Sequence, residues 1–122
     1  MELSGAIDRY FGKGSAMRVE AVQNPKGLVL LLTGSLDLEC SRSLQDLLSW
    51  VIEHHSGKTR LVVDLEHVNY ISSTGVGALT IALTSARKFD TRFLLRNLQP
   101  KVRAIFQLLG LMNYFEEAGA DD

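Results

Sequence analysis

Residues 62–77 read VVDLEHVNYISSTGVG, and this stretch carries the clearest indication of how the chain folds. Within and just before it, residues 60–65 form a short, mostly apolar run, which predicts a central strand buried on both faces. A short loop should follow this strand. Small hydroxyl residues and two glycines then open a predicted helix, which begins at Ser73 or Thr74 and runs to about Lys88. The stretch therefore predicts a strand, a loop and a helix of an α/β domain.

The start of this helix favours a phosphate group. A helix N-terminus presents unpaired backbone N–H groups and the positive end of the helix dipole, and both stabilise a phosphate, whether free or attached to a side chain. Ser72, Ser73 and Thr74 place three hydroxyls at this point. A helix cap needs only one hydroxyl, so the pattern leaves two interpretations open: a capping cluster or a phosphorylation site.

The predicted helix also has an unusual outer face. Four apolar residues share the side that should face the core: Val76, Leu79, Leu83 and Ala86. Ile81 falls nearly opposite them. Small or uncharged residues surround Ile81, with a lysine at the far end: Thr74, Ala78, Ser85 and Lys88. A smooth outer face beside a candidate phosphate acceptor indicates a surface on which another protein docks.

Upstream, the turn residues Asn24-Pro25-Lys26-Gly27 separate two strand patterns. Residues 17–23 begin with an apolar and polar alternation, which is typical of a half-buried strand. Residues 28–33 are almost continuously apolar, which is typical of a buried strand. The two strands together predict a β-hairpin, which Gly34-Ser35-Leu36-Asp37 follows.

Residues 41–55 predict the first helix of the domain. Its apolar stripe consists of Leu44, Leu47, Leu48 and Val51. We expect Ser41 or Ser43 to cap its start and Ser56-Gly57 to end it. Cys40 would then lie just before the helix as a small residue.

Downstream, residues 92–95 predict another strand, and Pro100 suits the first position of a further helix. That helix has Gly110 as its C-terminal cap and an apolar stripe made of Val102, Ile105, Phe106 and Leu109. The order β-β-α-β-α-β-α predicts a mixed sheet of about four to five strands with about three to four helices. Its parallel strands should be joined by right-handed crossovers.

The ends of the chain are predicted to lie outside this domain, which we place at residues 17–116. Residues 1–16 form an extension whose short helix has four residues on one face, Leu3, Ile7, Tyr10 and Phe11. Gly12 and Gly14 should end this helix. Because so short a helix is marginal alone, it must dock or fray. Residues 117–122 are predicted to be a tail.

The composition excludes several classes of protein. The 122 residues are 46% hydrophobic, enough for one domain with one core, and a net charge of −1 without a dense basic run argues against direct DNA binding. The single cysteine, Cys40, favours a reducing cytoplasm. His54, His55 and His67 lack metal-binding spacing, so no metal or cofactor is expected. We predict no signal peptide, and residues 68–86 are too polar to span a membrane.

Three motifs resemble the STAS domains, specifically the bacterial anti-sigma-factor antagonists. Those domains have a strand ending in Asp-Leu and, after a loop, Asp-Ser-Ser/Thr-Gly-Leu/Val-Gly; here Asp64-Leu65 precedes Ser72-Ser73-Thr74-Gly75-Val76-Gly77. Their Gly-x-Leu/Ile-Asp motif matches residues 34–37. Their final helix, which ends Leu-x-Gly-Leu before a Phe, matches residues 108–111 and Phe115. The similarity covers about residues 17–116.

The resemblance implies a regulatory rather than an enzymatic role. Ser73 corresponds to the phosphoacceptor, with Ser72 and Thr74 as alternatives. A cognate serine kinase, which is itself the anti-sigma factor, would phosphorylate it, and a serine phosphatase would reverse the reaction. The unphosphorylated form would bind the anti-sigma factor and release the sigma factor. Asp37 would help with partner contact or phosphorylation.

The resemblance and the outer face of the helix together give a predicted partner-binding set: Asp37, Ser72, Thr74, Gly75, Gly77, Ala78, Ile81 and Ser85. We expect a monomer or a weak dimer. One position departs from the family pattern, because Ser72 stands where these domains usually have Asp before the acceptor serine. This removes a negative charge beside the acceptor and bears on the choice between Ser72 and Ser73.

Three other interpretations compete. A response-regulator receiver domain would use Asp64, but it needs an acidic pair after the first strand and a lysine after the last, and neither is present. An enzyme would need a nucleophile elbow or a phosphate-binding loop, which are also absent. The third is a STAS domain acting in another system, such as a lipid-transport accessory protein or a stress-signalling scaffold, and the fold does not decide between these.

Overall fold

A computed structural model describes residues 2–12, 14–54 and 60–119. In chain order the elements are α1 (Leu3–Tyr10), β1 (Met17–Asn24), β2 (Gly27–Leu36), α2 (Leu38–His54), β3 (Arg60–Ile71), α3 (Ser73–Lys88), β4 (Arg92–Arg96), α4 (Pro100–Leu108), a 3-10 turn (Met112–Tyr114) and β5 (Glu116–Glu117). The predicted α/β order is confirmed, with α1 before it and β5 after it.

The five strands form one mixed sheet in the order β1-β2-β3-β4-β5. The predicted hairpin is confirmed, since β1 pairs with β2 antiparallel, whereas β2, β3, β4 and β5 are mutually parallel. Asn24 builds the hairpin turn, because its Oδ1 accepts the N–H groups of Lys26 at 2.9 Å and Gly27 at 3.1 Å. A helix follows each of β2, β3 and β4, as parallel connections require.

The helices share one face of the sheet. Buried residues of all four helices belong to the same apolar cluster as Leu30, Val63 and Leu95, which are register partners on one face of β2, β3 and β4. Val29, Val62 and Leu94 lie on the opposite face and form a smaller cluster. Among the residues that the structure describes, this second cluster contains none from a helix.

The N-terminal helix docks on the domain rather than fraying. Ala6 is completely buried, and Leu3, Ile7 and Tyr10 pack against the main core. Helix α1 contacts both α2 and β1. Residues 3–10 therefore belong to the same packed body as the domain that follows them.

The predicted loop after residue 65 is wrong, because β3 continues without a break to Ile71. Its pairing with β2 shifts register twice, between Leu31 and Thr33 and between Gly34 and Ser35. These irregularities disturb the alternation by which a strand is recognised. Gly34 has φ +122°, and a Cβ there would lie 2.5 Å from the carbonyl oxygen of Ala16, so this position requires glycine.

Helix α2 begins earlier than predicted. It starts at Leu38 because Asp37 caps it, with its Oδ1 accepting the N–H of Cys40 at 2.9 Å. Ser41 and Ser43 are therefore not caps, and Cys40 lies in the first turn rather than before the helix. The Ser41 hydroxyl instead donates to the carbonyl oxygen of Asp37. The predicted end at Ser56-Gly57 lies outside the described residues.

The predicted C-terminal tail begins inside the sheet. Glu116 and Glu117 pair with β4, and their carboxylates bind the guanidinium groups of Arg92 and Arg103. Helix α4 starts at Pro100 as predicted and ends at Leu108. Gly110 follows two residues later with φ +72°. Leu109 follows the helix and is exposed, so its assignment to the buried stripe is wrong.

A buried carboxylate joins β3 to β4. Asp64 is 3% exposed and accepts from Arg96 Nε at 2.8 Å, Asn97 Nδ2 at 3.1 Å and its neighbour Glu66 N–H at 2.8 Å. Asp64 and Arg96 are also register partners in the two strands. This residue, which a receiver domain would use as its acceptor, is committed to holding the sheet together.

Candidate functional site

The candidate site lies where β2 and β3 end and α2 and α3 begin. Leu36 is the last residue of β2, and its carbonyl oxygen accepts the N–H of Ser72 at 2.9 Å. This bond brings the segment that opens α3 beside Asp37, which opens α2. Two helix N-termini with their capping side chains therefore converge at one end of the parallel strands.

Ser72 is the N-cap of α3. Its Oγ accepts the N–H of Gly75 at 3.1 Å and donates to the carbonyl oxygen of Leu36 at 3.2 Å. Serine caps a helix about as well as aspartate does. Compared with the family's Asp, serine at this position keeps the capping function, lacks the charge and adds a hydroxyl donor to Leu36.

Thr74 is also engaged, although it is exposed. Its Oγ1 lies 2.7 Å from Ser72 Oγ and 3.3 Å from Ser41 Oγ. The three hydroxyls form a chain that connects the first turn of α3 with the first turn of α2. Of the three candidate acceptors, two are held in this network.

Ser73 stands outside the network. It is the first residue of α3, as predicted, and it is exposed to solvent. Its hydroxyl makes no hydrogen bond to any other residue that the structure describes. The fold therefore leaves one accessible, unengaged hydroxyl at the helix N-terminus, where a phosphate is electrostatically favoured.

Asp37 contributes a negative charge at the same end of the parallel strands. Its hydrogen bond from the backbone N–H of Cys40 lowers the pKa of the carboxyl below the ordinary value, so the group is ionised at neutral pH. The neighbouring Cys40 thiol is buried, and burial is the main reason that its pKa is raised. The thiol is consequently neutral and unreactive, consistent with a packing role.

The two glycines of the motif have different surroundings. A Cβ on Gly75 would lie 2.8 Å from Ile71 Cγ1 and 2.9 Å from Leu36 Cγ, so this glycine lets α3 pack closely on the strand ends. A Cβ on Gly77 would have no atom within 4 Å. Gly77 occupies the interior of a helix, where alanine is favoured by about 1 kcal/mol, without any packing reason for its presence.

The outer face of α3 is narrower than predicted. Ile81 is 49% exposed and Ser85 is half-buried, so both reach the surface of the helix. Ala78 is only 2% exposed, so its predicted place on the outer face is wrong. The helix packs against α2 as well as the sheet, which buries a wider arc than a single core face would. On the remaining arc, the Thr80 and Thr84 hydroxyls bond to carbonyl groups of their own helix.

Two exposed apolar residues beside the site were missed by the sequence interpretation. Leu38 is 71% exposed at the start of α2, and Tyr70 is 54% exposed near the end of β3. Both flank the capping segments in sequence. Helical and strand periodicity does not identify them, because an apolar residue in the first turn of a helix or at the last exposed position of a strand does not follow the core pattern. Their position next to the two motifs was the signal that the sequence offered.

The described residues hold no group of three or more His, Cys, Asp or Glu side chains able to bind a metal ion. In the same part of the chain, no helix is both long and apolar enough to cross a bilayer. The geometry does provide two capped helix N-termini, the negative charge of Asp37 and the accessible hydroxyl of Ser73. Within the described residues, the fold and the site together define a small α/β domain that presents an unengaged serine hydroxyl at a helix N-terminus.

Comparison with known proteins identifies the family. The family model described as Mlab, STAS domain matches residues 19–116, and the chain belongs to the STAS domain family. The resemblance inferred from the motifs is thereby confirmed at the level of the domain.

Individual relatives agree with this assignment. The chain is 27% identical over 93 residues to BtrV of Bordetella bronchiseptica, a protein assigned provisionally as an anti-sigma factor antagonist, and the match covers 76% of this chain and 78% of BtrV. The unphosphorylated form of the anti-sigma factor antagonist SpoIIAA has a similar fold, with a TM-score of 0.69, 24% identity, and coverage of 87% of this chain and 90% of SpoIIAA. An anti-sigma factor antagonist from Mycobacterium paratuberculosis gives a TM-score of 0.73 at 21% identity, with 87% and 89% coverage.

Proposed function

We propose that this protein is an anti-sigma-factor antagonist that is switched by phosphorylation of Ser73. The unphosphorylated form binds a cognate anti-sigma factor, which is also a serine kinase, and so releases a sigma factor in the cytoplasm. Phosphorylation ends this binding, and a serine phosphatase restores it. The protein itself catalyses no reaction. The observation that carries the proposal is the Ser73 hydroxyl, which is exposed at the start of α3 and unengaged within the described residues.

The choice of Ser73 over its neighbours has a physical basis. Phosphorylation of Ser72 would remove the hydroxyl that caps α3 and bonds to Leu36. Phosphorylation of Thr74 would break its contacts with Ser72 and Ser41. A phosphate on Ser73 disturbs none of these bonds and gains the favourable field of the helix N-terminus.

The docking surface that we propose surrounds Ser73. We define it by exposed or half-buried residues: Asp37, Leu38, Tyr70, Ser72, Thr74, Gly77, Ile81 and Ser85. Its three large apolar side chains provide the hydrophobic contact that a protein interface needs at its centre. Gly77 would allow a partner to approach the backbone of α3 closely. The buried Gly75 and Ala78 support this surface from beneath and do not take part in it.

The switch would operate through charge. A phosphoserine carries about −1.5 to −2 charges near neutral pH. At Ser73 this charge would lie within the proposed docking surface, where a docked partner would have to desolvate it. It would also add to the negative charge of Asp37. Loss of partner binding follows without any change of fold.

Relatives provide independent support. BtrV, which is 27% identical to this chain over 93 residues, is assigned provisionally as an anti-sigma factor antagonist. SpoIIAA is known in an unphosphorylated and a phosphorylated form, and the phosphorylated form matches this chain with a TM-score of 0.63. The same fold therefore accommodates both states in a protein of this type.

The direct test is incubation with the cognate kinase, followed by phosphopeptide mapping and binding measurements. We expect phosphate on Ser73 alone, no phosphorylation of Ser73→Ala, and retained binding by that variant. Ser73→Asp should bind at least about tenfold more weakly while unfolding at the same temperature as the wild type. Mapping of the phosphate to Ser72 or Thr74 would refute the assignment of the acceptor.

A matched pair of variants tests the docking surface. Ile81→Glu should weaken binding to the anti-sigma factor strongly and leave stability almost unchanged. Leu108→Glu is the control, because Leu108 is 82% exposed at the end of α4, away from the proposed surface. Equal binding by both variants would show that α3 does not contact the partner.

A second proposed function follows from the family model, which describes a STAS domain and does not name sigma regulation. In this proposal the domain is a scaffold in a transport-accessory or another partner-switching system. Capture with the wild type and with Ser73→Asp separates the two proposals. Recovery of a transporter component, bound equally by both forms, would favour the scaffold, whereas recovery of a kinase-type anti-sigma factor by the wild type alone favours the antagonist.

A further inference from the structure

Strand β1 forms one edge of the sheet. It pairs with β2 along all eight residues, from Met17 to Asn24, without a register shift. None of the described residues pairs with its other edge. Such an edge presents a row of backbone N–H and C=O groups to which another strand can be added.

Two side chains of opposite charge on this strand form no ion pair within the described residues. Arg18 and Glu20 are exposed and, being two residues apart, lie on the same face of the sheet. Their register partners on β2 are the uncharged Thr33 and Leu31. The two charges are therefore available to a strand added at the edge.

Apolar surface flanks the same edge on both faces. A groove of about 560 Å³ lies between α1 and the C-terminal half of β1. Its apolar lining residues are Leu3, Ile7 and Ala21. On the helix-free face, Val22 is 46% exposed. A strand added to β1 would cover part of both surfaces, which the monomer leaves in water.

We propose that two copies of this chain associate through antiparallel pairing of their β1 strands into one continuous sheet. Two-fold antiparallel pairing places each residue opposite one on the same face. With Val19 nearest the two-fold axis, Arg18 of each copy lies opposite Glu20 of the other, which forms two equivalent ion pairs. This charge pattern is self-complementary, and it therefore favours a second copy over an unrelated strand. The inference does not depend on the proposed role of Ser73.

The resulting interface would be small. One short ladder with the adjoining groove buries less than the roughly 1,200–2,000 Å² of a stable protein interface. We therefore expect a dissociation constant in the micromolar range or weaker, measurable by sedimentation equilibrium of the full chain over a wide concentration range.

Charge exchange tests the register. Arg18→Glu and Glu20→Arg should each raise the dissociation constant of the dimer about tenfold, because each places like charges opposite one another twice. The double variant Arg18→Glu/Glu20→Arg restores opposite charges and should dimerise nearly as well as the wild type. Lys101→Glu is the control, since Lys101 is exposed on α4 and should leave the dimer unchanged.

Three results would overturn the proposal. They are a wild type that stays monomeric at high micromolar concentration, a double variant no better than the single variants, and a dimer that Ile81→Glu disrupts while Arg18→Glu does not. Slower amide exchange along residues 17–24 with rising concentration would support it.

Discussion

Ser72 donates two hydrogen bonds to one acceptor, the carbonyl oxygen of Leu36, from its backbone N–H at 2.9 Å and from its hydroxyl at 3.2 Å. The same hydroxyl accepts the N–H of Gly75 and so caps α3. Ser72 thus fixes the start of α3 against the end of β2, while its neighbour Ser73 is left free for chemistry. At adjacent positions, the fold thus uses one serine for structure and leaves the hydroxyl of the other without a hydrogen bond to any described residue.

Replacement of Ser72 should reveal this structural role. Ser72→Ala removes the cap and should lower the free energy of unfolding by about 1 kcal/mol. Ser72→Asp restores the residue that the family usually has and retains a capping oxygen but loses the hydroxyl donor to Leu36, so it should be more stable than Ser72→Ala. Urea denaturation measures both. Equal stability of the two variants would show that Ser72 does not act as the cap.

The two motif glycines should respond in opposite directions to the same substitution. Gly75→Ala should destabilise the domain by about 1–3 kcal/mol, because the added methyl group overlaps Leu36 and Ile71. Gly77→Ala has space and should stabilise the domain by about 0.5–1 kcal/mol. Thermal and urea unfolding provide the comparison. If Gly77→Ala is also destabilising, the open space beside Gly77 is not accessible to a side chain.

Two substitutions separate the contribution of Asp37 as a helix cap from the contribution of its negative charge. Asp37→Asn keeps a capping oxygen and loses only the charge, whereas Asp37→Ala loses both, so the alanine variant should be the less stable of the two at neutral pH. Weaker partner binding by Asp37→Asn would then report the charge alone. If both variants lose the same stability, the charge and not the cap is responsible.

The lowered pKa of Asp37 also predicts a pH dependence. A carboxyl with a lowered folded-state pKa contributes stability above the ordinary range near about pH 4, and the contribution is lost as the pH falls through the folded-state pKa. The stability of wild type relative to Asp37→Asn should therefore decrease on acidification below about pH 4. A difference that stays constant with pH would contradict this role.

The buried Asp64 should be far more sensitive than a surface carboxylate. Asp64→Ala leaves Arg96, Asn97 and a backbone N–H without their common acceptor and should cost about 3 kcal/mol of unfolding free energy. Asp46→Ala is the control, because its pair with Arg42 is exposed and should contribute less than about 1 kcal/mol. Similar losses in the two variants would show that the Asp64 network is not tightly coupled.

The sequence was sufficient where local patterns decide structure. The hairpin turn at Asn24, the start of α3 at Ser73 and the start of α4 at Pro100 each depend on one residue's own backbone or side-chain chemistry. The core face of α3 followed from helical periodicity in the same way.

The errors arose where distant parts of the chain decide the outcome. The continuation of β3 depends on its shifted pairing with β2, and β5 is two residues long and exists because β4 offers an edge. Ala78 is buried because α2 packs across α3, which a helical wheel drawn for one helix does not show. Of the site, the sequence indicated Ser73 and Ile81, but the exposure of Leu38 and Tyr70 depends on where the strands end.

The Ser73 hydroxyl, which no described part of the fold uses, also bears on how long each form of the protein would survive in a cell. We expect a phosphate on Ser73 to leave the stability of the folded state nearly unchanged, because the helix N-terminus stabilises it and the Asp37 carboxylate repels it. Degradation commonly acts on the unfolded population. Both forms of the proposed switch would then be cleared at similar rates. Their ratio would record the recent balance of kinase and phosphatase activity, undistorted by the selective turnover of either form.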